Sequence, residues 1–529
     1  MSRWLAVLVI SGCGVTVDPP RPEPASATSV VPADTGTPQT WRPVTAPPFA
    51  SAGLPVLLTD GTVMVQELES ENWWQLTPDA SGNYATGTWS RLASMPTGYS
   101  PLYTATAVLP DGRVIVEGGE YLAGDFAFTT RGALYDPVAN QWTAVQPPAG
   151  WGSIGDASGE VLADGRFMLS SCCDGPPGPS AILDLNSMTW SEIGAGKLDI
   201  HDEESWVMLW DDTLLTIDCN NVQDLTAAES FDPKTGMWSP AGHTPVQISD
   251  TDPDGQGSHE IGANVLLNDG TVLGIGGNGH NVTYDPKTKA WASAPDFPVV
   301  AEGQLDAADG PAATLPNGHV LVATSPGVFM TPTHMFEWDG TTFTEVPAPA
   351  NAPQNTTYQQ TMVLLPTGEV LMTDFSSDVE LYTPAPGYPD NAVPVILGAP
   401  TPMTAARETS SDDQPLPPTS AADPLLPIGN LFLGQTYKLP VLRMNGLTQG
   451  AYYGDDQQTY TNFPIVRLTY QDSGHVVYAR THEHSTRGIG PDKRGTTLFD
   501  IPATAERGLA QLQVIANGIP SPPVLVNIK

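Results

Sequence analysis

The residues of this 529-residue chain whose types and spacing suit chemistry are acids, tyrosines and histidines at one recurring kind of position. Tyr103, Asp156, Glu203, Glu260, Asp309 and Gln359 each stand a similar short count ahead of an Asp-Gly turn or a close variant, with His201, Asp202 and His259 beside them. If the segments carrying them converge, several carboxylates share one funnel, with Tyr103, Asp156, Asp202 and Gln359 lining it. Like charges gathered that closely raise one another's pKa unless a cation neutralises them. One reading is therefore a divalent cation, calcium or copper, held among Glu203, His259, Glu260, Asp309, His482 and His484. A second is a water-filled channel whose acids cap strand-start amides, and a third is a catalytic acid/base pair. His482 and His484, in the run Thr481 to Thr486, share a face if that run is a strand.

The elements that must position these residues form a repeat. Turns centre on Gly61, Gly112, Gly165, Asp212, Gly270, Gly318 and Gly368, each between two short hydrophobic runs. Gly-Gly follows at Gly118-Gly119 and Gly276-Gly277, and Trp89, Trp142, Trp190, Trp238, Trp291 and Phe343 close six of the repeats. A period of about 50 residues with this punctuation predicts a kelch-type β-propeller, one four-stranded blade per repeat, whose inner strand starts meet at the axis. The seventh repeat lacks its closing aromatic, and Trp41 supplies one if the N-terminal strand completes the last blade and removes two open edges. After Pro394 the period stops. Residues 394–425 are rich in Pro, Ser and Asp, and apolar runs such as Phe463 to Tyr470 predict a β-sandwich. The expected fold class is all-β, with a seven-bladed propeller over 40–393 and a C-terminal immunoglobulin-like (E-set) β-sandwich over 394–529.

Cys172 and Cys219 follow their turns at the same distance, which suggests a disulfide between neighbouring blades, with a Cys172-Cys173 bridge as the rival pairing. At the N-terminus, Trp4 to Ile10 is apolar and Ile10-Ser11-Gly12-Cys13 matches a bacterial lipobox, so residues 1–13 read as a lipoprotein signal with Cys13 the lipidated residue. Residues 14–39 read as a Pro/Ser/Thr-rich tether. The expected location is the bacterial cell envelope or the exterior, with membrane contact only through the lipid. Asp250 to Gly255 resembles the start of a calcium loop, but Ile261 stands where a Glu is needed, so it reads as a solvated acidic insertion. A formal net charge of −37 repels phosphates and excludes nucleic acid as a partner. A glycan or small polar ligand, bound by a monomer, remains. Trp73-Trp74 and Tyr452-Tyr453 are pairs that can stack on sugar rings or pack in the core.

The ending Gly508 to Pro522, together with the propeller repeat, resembles the galactose oxidase and glyoxal oxidase group. That resemblance implies one copper near the axis, two tyrosines, two histidines and a cysteine cross-linked to one tyrosine. Counted from the turns, the group's cysteine falls on Tyr103, its cross-linked tyrosine on Asp156 and its Tyr-His pair on Tyr358-Gln359. Its last histidine falls on His482 or His484. Tyr358, His484 and Asp156 are the candidates this gives for catalysis. With one tyrosine and one histidine kept, the resemblance implies the group's build without its full copper site, and the lipid tether and acidic funnel suit surface binding of carbohydrate or matrix. The alternatives are an alcohol or aldehyde oxidase with altered ligands, or a hydrolase or lyase using the axial acids.

Overall fold

A computed structural model describes residues 38–221, 223–250, 258–403, 428–454 and 456–529. Cys13, the tether before residue 38, the acidic run 251–257 and most of the Pro/Ser/Asp-rich stretch lie outside them. Among the described residues there is no α-helix; antiparallel sheets carry the fold. Seven sheets each run from an inner strand to an outer one, and the inner strands are Ala52–Leu57, Ala105–Val108, Gly159–Val161, Val207–Met208, Ile261–Leu266, Ala312–Thr314 and Thr361–Leu364. Their side chains are buried on both faces, as strands packed between neighbouring blades must be.

Local chemistry explains each hairpin. At the first, Leu58 N donates to the Thr62 carbonyl at 2.8 Å, Asp60 Oδ1 accepts from Thr62 N at 3.0 Å, and Gly61 takes φ 76°. Positive φ costs a side chain about 1–2 kcal/mol, which is why glycine holds this seat. In the fourth blade Asp212 holds it instead, at φ 74°, the conformation that short polar side chains tolerate best.

Four of the closing tryptophans tie blade to blade, while Trp238 Nε1 is buried without a hydrogen-bond partner. Indole N–H groups donate to a carbonyl next to the preceding blade: Trp89 to Thr45 at 2.7 Å, Trp142 to Ala93 at 3.1 Å, Trp190 to Gln146 at 2.7 Å and Trp291 to Ala241 at 3.0 Å. Thr40–Pro43 pairs with Glu380–Thr383, setting Trp41 opposite Tyr382. Trp41 then makes the same bond, to Pro347 at 2.7 Å, so the ring closes with the device used inside it.

Two further sheets, built on Thr436–Leu442 with Arg494–Asp500 and on Gly508–Ala516 with Ile465–Tyr470 and Val524–Ile528, pack over a shared core of Leu439, Val466, Leu468, Phe499 and Leu512. This sandwich sits against the turn end of the blades: Thr481 N donates to the Thr59 carbonyl at 3.1 Å, His484 N to Pro110 at 3.0 Å and Arg487 N to Ala163 at 3.0 Å.

One segment of the sandwich enters the propeller. Gln449 Oε1 accepts from Met208 N at 2.8 Å and its amide donates to Glu160. The Gly450 carbonyl accepts from Thr314 N at 2.8 Å, Gln458 Oε1 from Thr106 N at 3.3 Å, and Thr459 donates to Met362 at 2.6 Å. Ala451–Tyr452 adds a strand to the inner edge of the sixth blade. Inner strands of blades two, three, four, six and seven are thus satisfied by the insert. The insert therefore occupies the axis alongside these strands.

Candidate functional site

The end of the propeller where the inner strands begin is built from the loops that enter them. Tyr103, Glu203, His259 and Asp309 all have positive φ there, at 56°, 57°, 76° and 49°. Left-handed backbone at non-glycine residues is costly and gathers at binding sites. Around Tyr103 the insert and three blades place a run of aromatic rings. Tyr103 stacks on Tyr453 with centroids 6.3 Å apart and meets Phe375 at 6.3 Å and Tyr121 at 6.1 Å. From Tyr121 the run continues to Phe126 at 5.8 Å and Phe128 at 4.9 Å, and from Phe375 to Tyr358 at 6.5 Å and Phe329 at 5.7 Å. The middle is buried, but Phe126 is 55% and Phe329 63% exposed, so the run surfaces at both ends.

Acids flank the rings. The charges of Asp309, Glu120 and Asp456 act on Tyr103, Asp309 acts on Tyr358, and Glu120 and Asp156 act on Tyr121. Burial first, and these acids second, push all three phenols up, so they are neutral hydrogen-bond partners at neutral pH. The Tyr453 hydroxyl donates to the Tyr358 carbonyl at 3.0 Å, fixing the insert against the seventh blade. Gln359 turns its side chain back to accept from Thr356 N at 3.1 Å and caps its own short helix.

Several expectations need correction. His482 and His484 do not join the mouth. His484 N bonds Pro110, seven residues along the chain from Tyr103 at about 3.3 Å each, and its ring stacks on Phe463 beside Arg487. His482 contacts Asp500 at 3.3 Å. Both serve the seam between sandwich and turns. Nor do Glu203, His259, Glu260 and Asp309 gather their ligand atoms. Among the described residues the acids, cysteines and histidines that do converge are Asp156, Cys172, Cys173 and Asp202 in one group, and Asp199, Asp218 and Glu229 in another. Counting from a turn fixes height along a strand, whereas reversals at positive φ decide where a loop side chain points. His259 is buried with neither ring nitrogen hydrogen-bonded, and burial pulls it down to about 4.

The disulfide also differs. Cys172 bonds Cys173, and Cys219 is a buried free thiol beside the Glu203 carbonyl. The equivalence of Cys172 and Cys219 holds along the repeat, but equivalent positions in adjacent blades radiate from the axis. Trp73, Tyr452 and Tyr453 are core residues, buried to 3% exposure or less.

The second acidic group carries its own cation. Lys197 Nζ, fully buried, lies 2.6 Å from Glu204, 2.8 Å from Glu229 and 3.2 Å from Asp218, and also pairs with Asp199. Burial pushes Asp218 up to about 8, against the pull of Lys197. Lys197, Asp199 and Glu204 share one segment, but Asp218 and Glu229 join it from the next strands of the blade, at no spacing that marks the cluster in sequence. Its lysine fills the place a metal would take.

No family model matches the chain, and no curated protein does. Among solved structures it is similar to a fungal alcohol oxidase of the AA5 family in complex with copper, at 13% identity over 93% of this chain and 99% of that one, with a TM-score of 0.50. It is also similar to YjhT, at 15% identity over 57% of this chain and 99% of that one, with a TM-score of 0.36. The extracellular domain of a hybrid two-component system from B. thetaiotaomicron gives 11% identity, 91% and 56% coverage and a TM-score of 0.43. At its identity the first likeness shows a common fold, the galactose oxidase-like kelch propeller, and not a common chemistry. The residues here do not fit a copper-radical centre. Such a centre needs two imidazoles and a cysteine-linked tyrosine, whereas His482 and His484 lie at the opposite end, which leaves His259 as the imidazole described at the mouth; Cys172 and Cys173 are bonded to each other, and the free Cys219 Sγ lies against the Glu203 and Ile217 carbonyls, not a tyrosine ring.

Proposed function

We propose that this protein binds carbohydrate at the mouth of its propeller. The observation that carries the reading is the aromatic run, exposed at Phe126 and Phe329 and edged by carboxylates. Sugar rings present C–H faces that pack on aromatic rings and hydroxyls that donate to carboxylates, and this mouth offers both. Export and anchoring through a lipidated Cys13 would set that mouth facing surface glycan or matrix. The strong negative charge favours neutral sugars over sulfated or uronic ones.

Glycan-array screening followed by calorimetry on the best ligand tests this. Phe126→Ala and Tyr358→Ala should each weaken binding by about tenfold, the equivalent of about 1.4 kcal/mol. Retention of full affinity by both variants, or retention of no glycan by the wild type, would remove the reading. Conversion of the retained sugar would show an enzyme.

A further inference from the structure

We infer that Cys172, Cys173, Asp156 and Asp202 form a redox-gated site for a borderline divalent cation of the zinc type, closed while the two cysteines are bonded and opened by their reduction. The inference is independent of the glycan reading and concerns the rim beside the aromatic run.

One ligand atom from each of the four residues lies within 4.8 Å of the other three. Cys173 Sγ is 3.4 Å from Asp202 Oδ1. In a tetrahedral site with metal–ligand lengths of about 2.0–2.3 Å, neighbouring ligand atoms stand roughly 3.3–3.8 Å apart, so small side-chain rotations complete the set. The four residues come from two places: Asp156 and both cysteines from the third blade, and Asp202 from the loop leading into the fourth. A bound ion would therefore bridge two blades. Two sulfurs and two carboxylate oxygens suit zinc and not calcium or magnesium, which take oxygen donors alone.

The gate follows from the charge of the sulfurs. In the disulfide they carry none and are poor metal ligands, although two carboxylates stand beside them. A dithiol reductant supplies two electrons and two protons, its own sulfurs joining in a disulfide, and the Cys172–Cys173 bond becomes two thiols. Zinc takes both freed sulfurs as thiolates, their two protons go to solvent, and its charge is shared by four anionic donors. The change reaches the mouth directly. A Cβ on Gly155 would lie 2.3 Å from Cys172 Sγ and 2.9 Å from the Phe128 ring, so sulfur and ring meet over the same glycine.

Zinc titration of the full chain, with the disulfide intact and after reduction by a phosphine removed before the titration, tests the inference. The reduced protein should take up one equivalent about 100-fold more tightly than the oxidised one. An Asp156→Asn/Asp202→Asn double variant, which keeps every thiol, should lose most of that gain. Zinc should also shield the peptide carrying Cys172 and Cys173 from alkylation. Equal binding by both redox forms, full affinity in the double variant, or shielding of Cys219 in place of the pair would overturn it.

Discussion

Glu117 lies in the second strand of blade two with no exposed surface and no hydrogen bond to either carboxyl oxygen. It fits only because its cross-strand neighbour is Gly132, where a Cβ would stand 1.9 Å from Glu117 Oε2. Burial alone raises its pKa well above the ordinary value. An acid whose folded pKa is raised gives its full stability below its unfolded pKa, about 4.3, and loses it as the pH climbs toward the folded value, at about 1.4 kcal/mol per pH unit. Glu117→Gln should therefore leave the urea midpoint at pH 4 unchanged and raise the stability at pH 8 by up to about 5 kcal/mol. A variant equally shifted at both pH values would show that shape, not charge, decides the site. Glu160, pushed up to about 8 by burial, and Asp306, to about 7, slope the same way and keep the wild-type trend visible in the variant.

Among the elements, the Asp-Gly hairpins could be read from sequence because each is made within a few residues, and the closing aromatics because they recur at the same place in the repeat. The missing seventh aromatic was itself a signal, and Trp41 answers it with a ring 5.1 Å from Tyr382. The axial insert left no such trace. Gln449 meets Met208 across 241 residues, and a glutamine in a polar loop looks like any other. The mouth was half legible for the same reason: the turns gave the height of Tyr103, Asp156 and Asp309, while the aromatic run joins residues from blades two, six and seven and the insert. Closure can be tested at Trp41. Removing a half-buried indole and its hydrogen bond should cost about 2 kcal/mol in Trp41→Ala, and about 1 kcal/mol in Trp41→Phe, which keeps a ring against Tyr382. Urea unfolding reads both, and equal losses would place the effect in the hydrogen bond alone.

At the scale of the molecule, propeller and sandwich share a core. Met208 N, Thr106 N and Thr314 N are inner-strand amides whose partners are supplied by the insert. Withdrawing it leaves each a buried donor without an acceptor, at about 1–3 kcal/mol apiece. The turn end loses its cover as well, since Arg480 bonds the Asp111 carbonyl at 2.8 Å and Tyr478 packs directly over Gly61. Several such losses approach the whole stability of an ordinary domain, about 5–15 kcal/mol. The intact chain should therefore melt in one calorimetric transition, with calorimetric and van't Hoff enthalpies that agree. Residues 38–393 alone should melt well below the intact chain or fail to fold. Two separate transitions, with the isolated propeller melting at the temperature of the first, would mean that the insert fills the axis without holding it together.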